Sequence, residues 1–413
     1  MSSSVTASSV TVKLRTPEII DFIENMYMYN GSPLGKQPII ILGPPGIGKS
    51  EAVAQAAERI ARKLNRKFIK YDDEKYDEIM QHPDEYFVFV DLRLTEVEPS
   101  DLMGIPREKN GTMFYIPPSW AKVLSKAPGI LFLDELTQVQ RDDIFAVAHK
   151  ILLDKMAGFT RFHPGVMVIA AGNTPEDSPI ARQLPTSLIN RTLVIRADKP
   201  TIDEWAKYME ERYGDKWDKR VYAFLMYQSD KFIEPIDKNE LERLDNFATP
   251  RTYTMAAVRL YELANAPITQ EMLKATLVGL LGPSVGEALF GFITTSIDVE
   301  SIINNPDKFG KLDIDKKFFV VWAAGGLYNR AVGIGNDELR AKIEEFVEKA
   351  IIKKKPEHWL ELLTLFVISL SGEPTKTGVS PRHKYLKSLS SKYPKVIDEL
   401  YKVAVLAKSI RAQ

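Results

Sequence analysis

The sequence contains no cysteine in its 413 residues, and this absence excludes several kinds of chemistry. Without thiols the chain can form neither disulfides nor thiolate metal sites, and it has no cysteine nucleophile. A chain without cysteine fits a reducing compartment, so we expect a cytoplasmic protein.

Net charge is missing as well, because 55 lysines and arginines balance 55 aspartates and glutamates. A neutral chain lacks the overall positive field typical of proteins that coat nucleic acid, although local basic patches remain open. No apolar run approaches the roughly 18 residues that span a bilayer, so we expect a soluble protein without membrane insertion. The 5 histidines are scattered without the spacing of metal ligands, which argues against a metal hydrolase.

A glycine-rich segment, residues 43–50, fits the pattern GxxxxGK[ST] at every fixed position. It lies between the apolar run 38–42 and the helix-forming residues 51–57, so the pattern predicts a strand, a tight turn and a helix. Backbone N–H groups and the helix N-terminus together bind phosphate in that arrangement. A plain Gly/Pro turn is the alternative, and the complete motif in its expected context argues against it. The predicted nucleotide-binding residues are Gly43, Pro44, Pro45, Gly46, Ile47, Gly48, Lys49, Ser50 and Glu51.

Within this loop two side chains have distinct expected roles. Lys49 would contact the β- and γ-phosphates of a nucleoside triphosphate, and the Ser50 hydroxyl would ligate Mg²⁺. The predicted cofactors are therefore ATP and Mg²⁺, although GTP remains open because base contacts lie on poorly marked elements.

Polar residues follow two further apolar runs. Asp134 and Glu135 follow residues 129–133, and Asn173 follows residues 166–172. Parallel strands place their carboxyl ends at one edge of the sheet, where ligands bind. Asp134 would hold Mg²⁺ mostly through water, Glu135 would act as general base, and Asn173 would position the attacking water or touch the γ-phosphate. Taken alone, each run fits a strand that ends at a solvated turn.

Short apolar segments alternate with helical patterning up to residue 200 and predict a five-stranded parallel P-loop sheet sandwiched by helices, an α/β fold. The predicted strands are 38–42, 86–92, 129–134, 166–172 and 192–196, and residues 67–71 are a further candidate. Strand patterning is largely absent afterwards. We therefore expect a disordered tail (1–15), a P-loop ATPase domain (16–200), an all-α lid (201–297) and an all-α C-terminal extension (298–413).

Two insertions interrupt the predicted P-loop domain. Residues 106–117 carry Asn110 and Gly111, which favour a type I′ hairpin turn, between two helical segments. Residues 155–165 predict a second hairpin or an exposed loop.

Together these motifs resemble AAA+ ATPases and, within them, the MoxR-like group. The resemblance rests on the P-loop, on residues 131–135, on Ala171-Gly172-Asn173, on residues 184–191 and on Ala248-Thr249-Pro250-Arg251. It covers residues 16 to about 297. The two hairpins resemble the helix 2 insert and the hairpin before sensor 1, and residues 100–104 resemble the Ser-Asp-Leu-x-Gly segment of the same group.

The resemblance implies roles for residues in the matching positions. Asn173 resembles sensor 1, Arg251 the sensor 2 arginine of the lid, and Arg191 the arginine finger that enters a neighbouring subunit's site. A guanidinium suits that task because it is always charged and can stabilise a transferring phosphoryl group. A surface arginine in a salt bridge is the alternative for Arg191, and Arg182 is the second candidate for the finger. Arg251 could also serve a neighbour's nucleotide.

The sequence departs from the group in two places. Residues 185–192 read Pro-Thr-Ser-Leu-Ile-Asn-Arg-Thr where the group favours Pro-Glu-Ala-Gln-Leu-Asp-Arg-Phe, and no long Ala/Glu-rich helix follows Glu135. These departures indicate a divergent branch.

Three functional hypotheses follow. The first is a homo-oligomeric ring, a hexamer, that remodels other proteins in a chaperone-like way, for which the resemblance implies a partner with a von Willebrand factor A domain. The second is a nucleic-acid motor in which the hairpins and the basic C-terminal stretch contact a threaded strand, which neutral charge disfavours. The third is a scaffold that binds ATP but scarcely hydrolyses it, against which Glu135 and Asn173 argue.

Overall fold

The computed structural model describes residues 12–29, 36–178, 180–233, 246–264, 266–294, 297–372, 374 and 379–402. The chain divides into two compact units, Met1–Lys199 and Pro200–Gln413. None of the helices in the described part of the chain combines the length and apolar character that crossing a bilayer requires.

The first unit alternates strands with helices. Its strands are β1 (Lys13–Leu14), β2 (Ile39–Leu42), β3 (Lys67–Lys70), β4 (Tyr86–Arg93), β5 (Ile105–Lys109), β6 (Thr112–Ile116), β7 (Gly129–Asp134), β8 (Met156–Ala157), β9 (Thr160–Arg161), β10 (Val166–Gly172) and β11 (Leu193–Ala197). Its α-helices are α1 (Thr16–Met28), α2 (Lys49–Lys63), α3 (Tyr76–Gln81), α4 (Pro99–Met103), α5 (Ser119–Leu124), α6 (Asp142–Asp154) and α7 (Thr186–Ile189).

Seven of these strands form one parallel sheet in the order β1-β11-β2-β10-β7-β4-β3. Successive residues of the central strands pack on opposite faces, as the period-2 geometry of a strand requires. Ile39 and Ile41 pack against α1 and α2, whereas Ile40 and Leu42 pack with the core that contains α5 and α6. The predicted parallel sheet between two helical layers is confirmed.

The sheet has two more strands than the five counted in the sequence. One is β3, the further candidate at residues 67–71. The other is β1, which pairs Lys13 with Arg196 and Leu14 with Ala197 in a stretch predicted to be a disordered tail. A two-residue strand has no periodicity of its own, so only the pairing with β11 reveals it. Residues 1–11 of that predicted tail lie outside the described residues.

Both predicted insertions form hairpins. In the first, β5 pairs with β6, and Asn110 and Gly111 adopt φ of 54° and 75° at its turn. These positive φ angles are the ones a type I′ turn needs. In the second, β8 pairs with β9.

The second unit is helical in its described residues. Its α-helices are α8 (Ile202–Tyr213), α9 (Arg220–Tyr227), α10 (Pro250–Leu263), α11 (Gln270–Leu281), α12 (Pro283–Ile293), α13 (Val299–Asn304), α14 (Asp307–Gly310), α15 (Ile314–Ile334), α16 (Asp337–Val347), α17 (Trp359–Ser369), α18 (Pro381–Lys392) and α19 (Pro394–Lys402). A π-helical turn, Glu348–Lys353, extends α16.

One hydrophobic core runs through this helical unit. Aromatic pairs cross residue 297, because the rings of Tyr227 and Phe318 lie 6.4 Å apart and those of Phe292 and Phe319 lie 6.3 Å apart. The further division of the helical region near residue 297 stays a prediction.

Candidate functional site

The glycine-rich loop occupies the turn between β2 and α2. Gly48 adopts a φ of 91°, a left-handed conformation open to glycine, and it is the N-cap of α2. At the other end of the loop, a Cβ added to Gly43 would lie 2.8 Å from the carbonyl oxygen of Ala197. These glycines let the backbone turn tightly at a helix N-terminus, which is an arrangement that binds phosphate.

The Lys49 side chain is buried and lies under the loop. Its Nζ donates hydrogen bonds to the carbonyl oxygens of Gly43 and Pro44 at 2.7 Å and to Asn173 Oδ1 at 3.0 Å. The structure therefore joins the loop lysine directly to the residue that follows β10.

Ser50 and Asp134 come together across the sheet edge, with Ser50 Oγ donating to Asp134 Oδ2 at 2.7 Å. The other carboxylate oxygen, Asp134 Oδ1, accepts the backbone N–H of Glu135 at 2.8 Å. A hydroxyl and a carboxylate at hydrogen-bond distance are oxygen donors of the kind that Mg²⁺ prefers. Glu51, the last residue assigned to the loop from the sequence, lies one position further along α2 and accepts a hydrogen bond from Gln55 at 3.1 Å.

Glu135 has a φ of 61°, an uncommon conformation for a residue other than glycine. Its carboxylate accepts a hydrogen bond from the Thr95 hydroxyl, and Arg93 Nε lies 3.7 Å from Oε1. Arg93 is paired with Asp134 in the β4–β7 register and also binds Glu96 at 2.6 Å, a contact that raises the pKa of the arginine. Neither Thr95 nor Arg93 was assigned to the site from the sequence.

Asn173 is held by a residue that sequence patterns did not indicate. The Thr137 hydroxyl accepts the backbone N–H of Asn173 at 2.8 Å and donates to its carbonyl oxygen at 3.0 Å. Another contact missed in the sequence joins α1 to the loop, because Thr16 Oγ donates to the carbonyl oxygen of Ile47 at 3.3 Å.

The two arginine-finger candidates differ in their surroundings. Arg182 binds Asp142 Oδ1 at 2.6 Å, and its guanidinium lies 4.4 Å from the ring centroid of Phe145. Arg191 lies just after α7 and is exposed. Within the described residues, the Arg191 side chain has no hydrogen bond or ion pair.

Arg251 belongs to the second unit. It is exposed in the first turn of α10, directly after Pro250. Thr249 caps this helix by accepting the backbone N–H of Thr252 at 3.2 Å.

A glycine-rich loop at a helix N-terminus, together with Lys49, Ser50, Asp134, Glu135 and Asn173 at the carboxyl edge of a parallel sheet, defines a P-loop nucleotide hydrolase. Comparison with known proteins agrees. Residues 39–192 match the model of the ATPase family associated with various cellular activities (AAA). The chain thus contains an AAA ATPase domain, and the protein is an ATP-hydrolysing P-loop enzyme with the α/β AAA+ fold.

No curated protein sequence matches the chain. Similar solved structures include the Aeropyrum pernix ORC2 protein, with 13% identity over 96% of each chain and a TM-score of 0.34. Cdc6p from Pyrobaculum aerophilum has 15% identity over 95% of this chain and 97% of its own, with a TM-score of 0.35. C. elegans PCH-2 has 10% identity over 67% of each chain and a TM-score of 0.30. Scores this low support no inference about function.

Proposed function

We propose that the protein is a ring-forming, MoxR-like AAA+ ATPase that uses ATP turnover to remodel or assemble partner proteins. The observation that supports a ring is the contrast between Arg182 and Arg191. Arg182 is engaged within its own subunit, whereas Arg191 is exposed and has no side-chain partner among the described residues. An arginine in that state is available to a neighbouring subunit's nucleotide, as a finger supplied in trans requires.

In this proposal the clustered residues divide the work of hydrolysis. Lys49 binds the β- and γ-phosphates, Glu135 accepts a proton from the attacking water, and Asn173 orients that water. Arg251 contacts phosphate from the lid, of its own subunit or of a neighbour. The proton transfer leaves a neutral, protonated Glu135 carboxyl and a hydroxide-like oxygen that bonds to the γ-phosphorus, while the bond from that phosphorus to the β–γ bridging oxygen breaks and ADP leaves.

Ser50 and Asp134 would hold Mg²⁺. The described residues contain no group of three or more His, Cys, Asp or Glu side chains that could hold a metal ion, so phosphate oxygens and water would complete the coordination. When bound, Mg²⁺ would neutralise charge that develops on the phosphate oxygens.

The first hairpin supports a partner surface. All ten residues of β5 and β6 are exposed, and they include Ile105, Met113, Phe114 and Ile116. By the register, Ile105, Phe114 and Ile116 share one face of the hairpin, and exposed apolar residues grouped in this way mark interaction sites in soluble proteins. Tyr115 joins the second hairpin, with its ring 5.4 Å from that of the exposed Phe159.

The resemblance alone points to a von Willebrand factor A domain protein as the partner class and to a hexamer as the ring size. The lack of cysteine fits the cytoplasm.

Substitution of Arg191 tests the ring. Arg191→Ala should lower ATP turnover by about 10³-fold or more while ATP binding is retained, because a finger acts on the transferring phosphoryl group. Arg62→Ala is the matched control, since Arg62 is an exposed arginine in the last turn of α2 and should be replaceable without effect.

A mixing experiment distinguishes a finger in trans from a local defect. Lys49→Ala subunits lack a working phosphate site but still supply Arg191, whereas Arg191→Ala subunits have the reverse defect. Mixed rings should therefore regain turnover that neither variant has alone. A mixture as inactive as its components would contradict the assignment of Arg191.

A nucleic-acid motor is the second candidate, and one observation favours it. Arg107 and Lys109 lie two positions apart on the exposed strand β5, and Phe114 of β6 pairs with Arg107. Neither cation forms an ion pair within the described part of the chain. Cations beside exposed aromatic rings suit single-stranded nucleic acid. Stimulation of turnover by DNA or RNA, steeply reduced by salt and by Arg107→Ala/Lys109→Ala, would support the motor.

A substrate trap separates the two candidates. Glu135→Gln in the presence of ATP should bind nucleotide without turning it over and so retain whatever the ring engages. Recovery of protein with this trap supports remodelling, and recovery of nucleic acid supports the motor. A Glu135→Gln variant that hydrolyses ATP like the parent would instead indicate that Glu135 is not the base.

A further inference from the structure

Thr137 is a buried polar residue in the loop after β7, and its side chain is only 1% exposed. It lies two residues beyond Glu135, where the chain has turned away from the sheet through the positive φ of Glu135. Buried hydroxyls are stabilised by hydrogen bonds, so the partners of this one indicate what it does.

Both hydrogen bonds of the Thr137 hydroxyl go to the backbone of one residue, Asn173. The hydroxyl accepts the N–H at 2.8 Å and donates to the carbonyl oxygen at 3.0 Å. Leu136 N–H donates to the carbonyl oxygen of Ala171 at 2.8 Å in the same stretch. The Thr137 side chain thus continues the pairing of the two segments past the end of β7, in the place that a backbone would occupy in a longer strand.

Gly172 allows this close approach. A Cβ added at Gly172 would lie 2.5 Å from Thr137 Oγ1 and 2.7 Å from Thr137 Cγ2, both closer than side chains pack. The threonine therefore lies directly against the backbone of the strand end, and its position and that of Asn173 are set together.

The same residue links three parts of the site. Asn173 Oδ1 accepts a hydrogen bond from Lys49 Nζ at 3.0 Å. The carbonyl oxygen of Thr137 accepts the backbone N–H of Arg182 at 2.7 Å, at the start of the segment that leads to α7. A displacement of Thr137 would consequently move the Asn173 amide relative to Lys49.

We propose that Thr137 is a positioning residue for ATP hydrolysis, which fixes the Asn173 side chain against Lys49 by holding both backbone groups of Asn173. This inference rests on the proposed role of Asn173 in orienting the attacking water. Misplacement of a catalytic group by about 1 Å can lower a rate by about 100-fold, so a positioning residue has a measurable effect without touching the substrate.

The test compares Thr137→Val, which keeps the shape and removes the hydroxyl, with Thr137→Ser, which keeps the hydroxyl. In the full-length protein, Thr137→Val should lower kcat about 10- to 100-fold with little change in the KM for ATP, and Thr137→Ser should restore most of the loss. Thr364→Val is the matched control. Thr364 is also 1% exposed, but its hydroxyl has no hydrogen-bond partner in the described structure, so kcat should be unchanged.

A double variant shows whether Thr137 acts through Asn173. If it does, Thr137→Val should cause little further loss of kcat in an Asn173→Ala background. Equal losses in both backgrounds, or a Thr137→Val enzyme with parental kcat, would overturn the proposal. A fluorescent ATP analogue and thermal unfolding verify that each variant is folded and binds nucleotide. The proposed role of Asn173 fails separately, through an Asn173→Ala enzyme with parental turnover.

Discussion

Replacement of Gly172 by alanine tests the packing at the end of β10 most directly. The new Cβ would lie 2.5 Å from Thr137 Oγ1 and 2.7 Å from Cγ2, whereas ordinary van der Waals contact begins at 3.4 Å. The backbone at Gly172 is not in the left-handed region, so the cost of the substitution is steric and does not arise from φ.

The size of the effect follows from what must move. Thr137 would have to shift by about 1 Å, which weakens its two hydrogen bonds to Asn173 and places strain on a close-packed core. Overpacking costs about 1–3 kcal/mol, and each weakened buried hydrogen bond costs about 1 kcal/mol more. For a unit of about 200 residues, a destabilisation of about 3 kcal/mol lowers the Tm by about 6–12 °C.

The assay is thermal unfolding followed by circular dichroism, together with ATP turnover. We expect Gly172→Ala to lower the Tm by this amount and to reduce kcat, because the carbonyl of Gly172 also accepts the backbone N–H of Gly43 at 3.2 Å. Gly279→Ala is the control, since a Cβ at Gly279 meets no atom within 4 Å.

A double variant, Gly172→Ala with Thr137→Ala, tests the steric explanation more sharply. The Thr137→Ala substitution removes the two nearest atoms, Oγ1 and Cγ2. The atom that remains, Cβ of residue 137, would lie 3.1 Å from the new Cβ, a separation that a small adjustment accommodates. Gly172→Ala should therefore cost less than about 1 kcal/mol in that background, while turnover stays low because the hydroxyl is gone. The same loss of Tm in both backgrounds, or no loss in either, would refute the reasoning.

Three other predictions concern the site and the helical unit. Thr95→Val removes a hydroxyl that donates to the Glu135 carboxylate, so the carboxylate is free to accept a hydrogen bond from the attacking water. Basal turnover should then rise a few-fold in a phosphate-release assay, and a fall would contradict this. A Cβ at Gly325 would overlap Ser369 Oγ, whereas one at Gly326 would have no atom within 4 Å. Gly325→Ala should therefore lower the Tm and Gly326→Ala should not. Equal effects would contradict the close packing of α15 on α17. A chain ending at residue 297 should lose more helical signal in circular dichroism than the deleted residues account for, because α9 packs on α15. Retention of the remaining helicity would show that the region up to 297 folds by itself.

Local patterns were sufficient for the five strands counted in the sequence and for the polar residues that follow them. β2, β7 and β10 are short runs of mainly apolar residues between turn-forming segments, and such runs identify buried parallel strands without knowledge of their partners. Since the carboxyl ends of parallel strands share one edge, the sequence alone predicted that Ser50, Asp134 and Asn173 lie near one another. In the structure Ser50 donates to Asp134 and Lys49 donates to Asn173, while the roles of these residues in hydrolysis stay predictions.

The parts that could not be predicted depend on contacts between distant segments. β1 is two residues long, and it exists because β11 offers a sheet edge 183 positions later, where Lys13 pairs with Arg196 and Leu14 with Ala197. Thr95 and Thr137 are single polar residues in loops, and threonine is common in loops for turn-forming reasons. Only the positions of Glu135 and Asn173 give these two hydroxyls a role.

The arrangement around Asn173 separates two kinds of requirement on the sequence. The chemistry requires an amide beside Lys49. A sequence motif can indicate this amide because one residue type at one position is sufficient. The placement of that amide requires a hydroxyl at 137 and the absence of a side chain at 172, and each makes sense only in the presence of the other. A glycine before Asn173 appears as a simple strand end in the sequence, whereas in the structure it is the space that the Thr137 side chain fills. The placement of the Asn173 amide therefore depends on Thr137 and Gly172 together. For this reason the double variants test the proposed site more sharply than either single variant does.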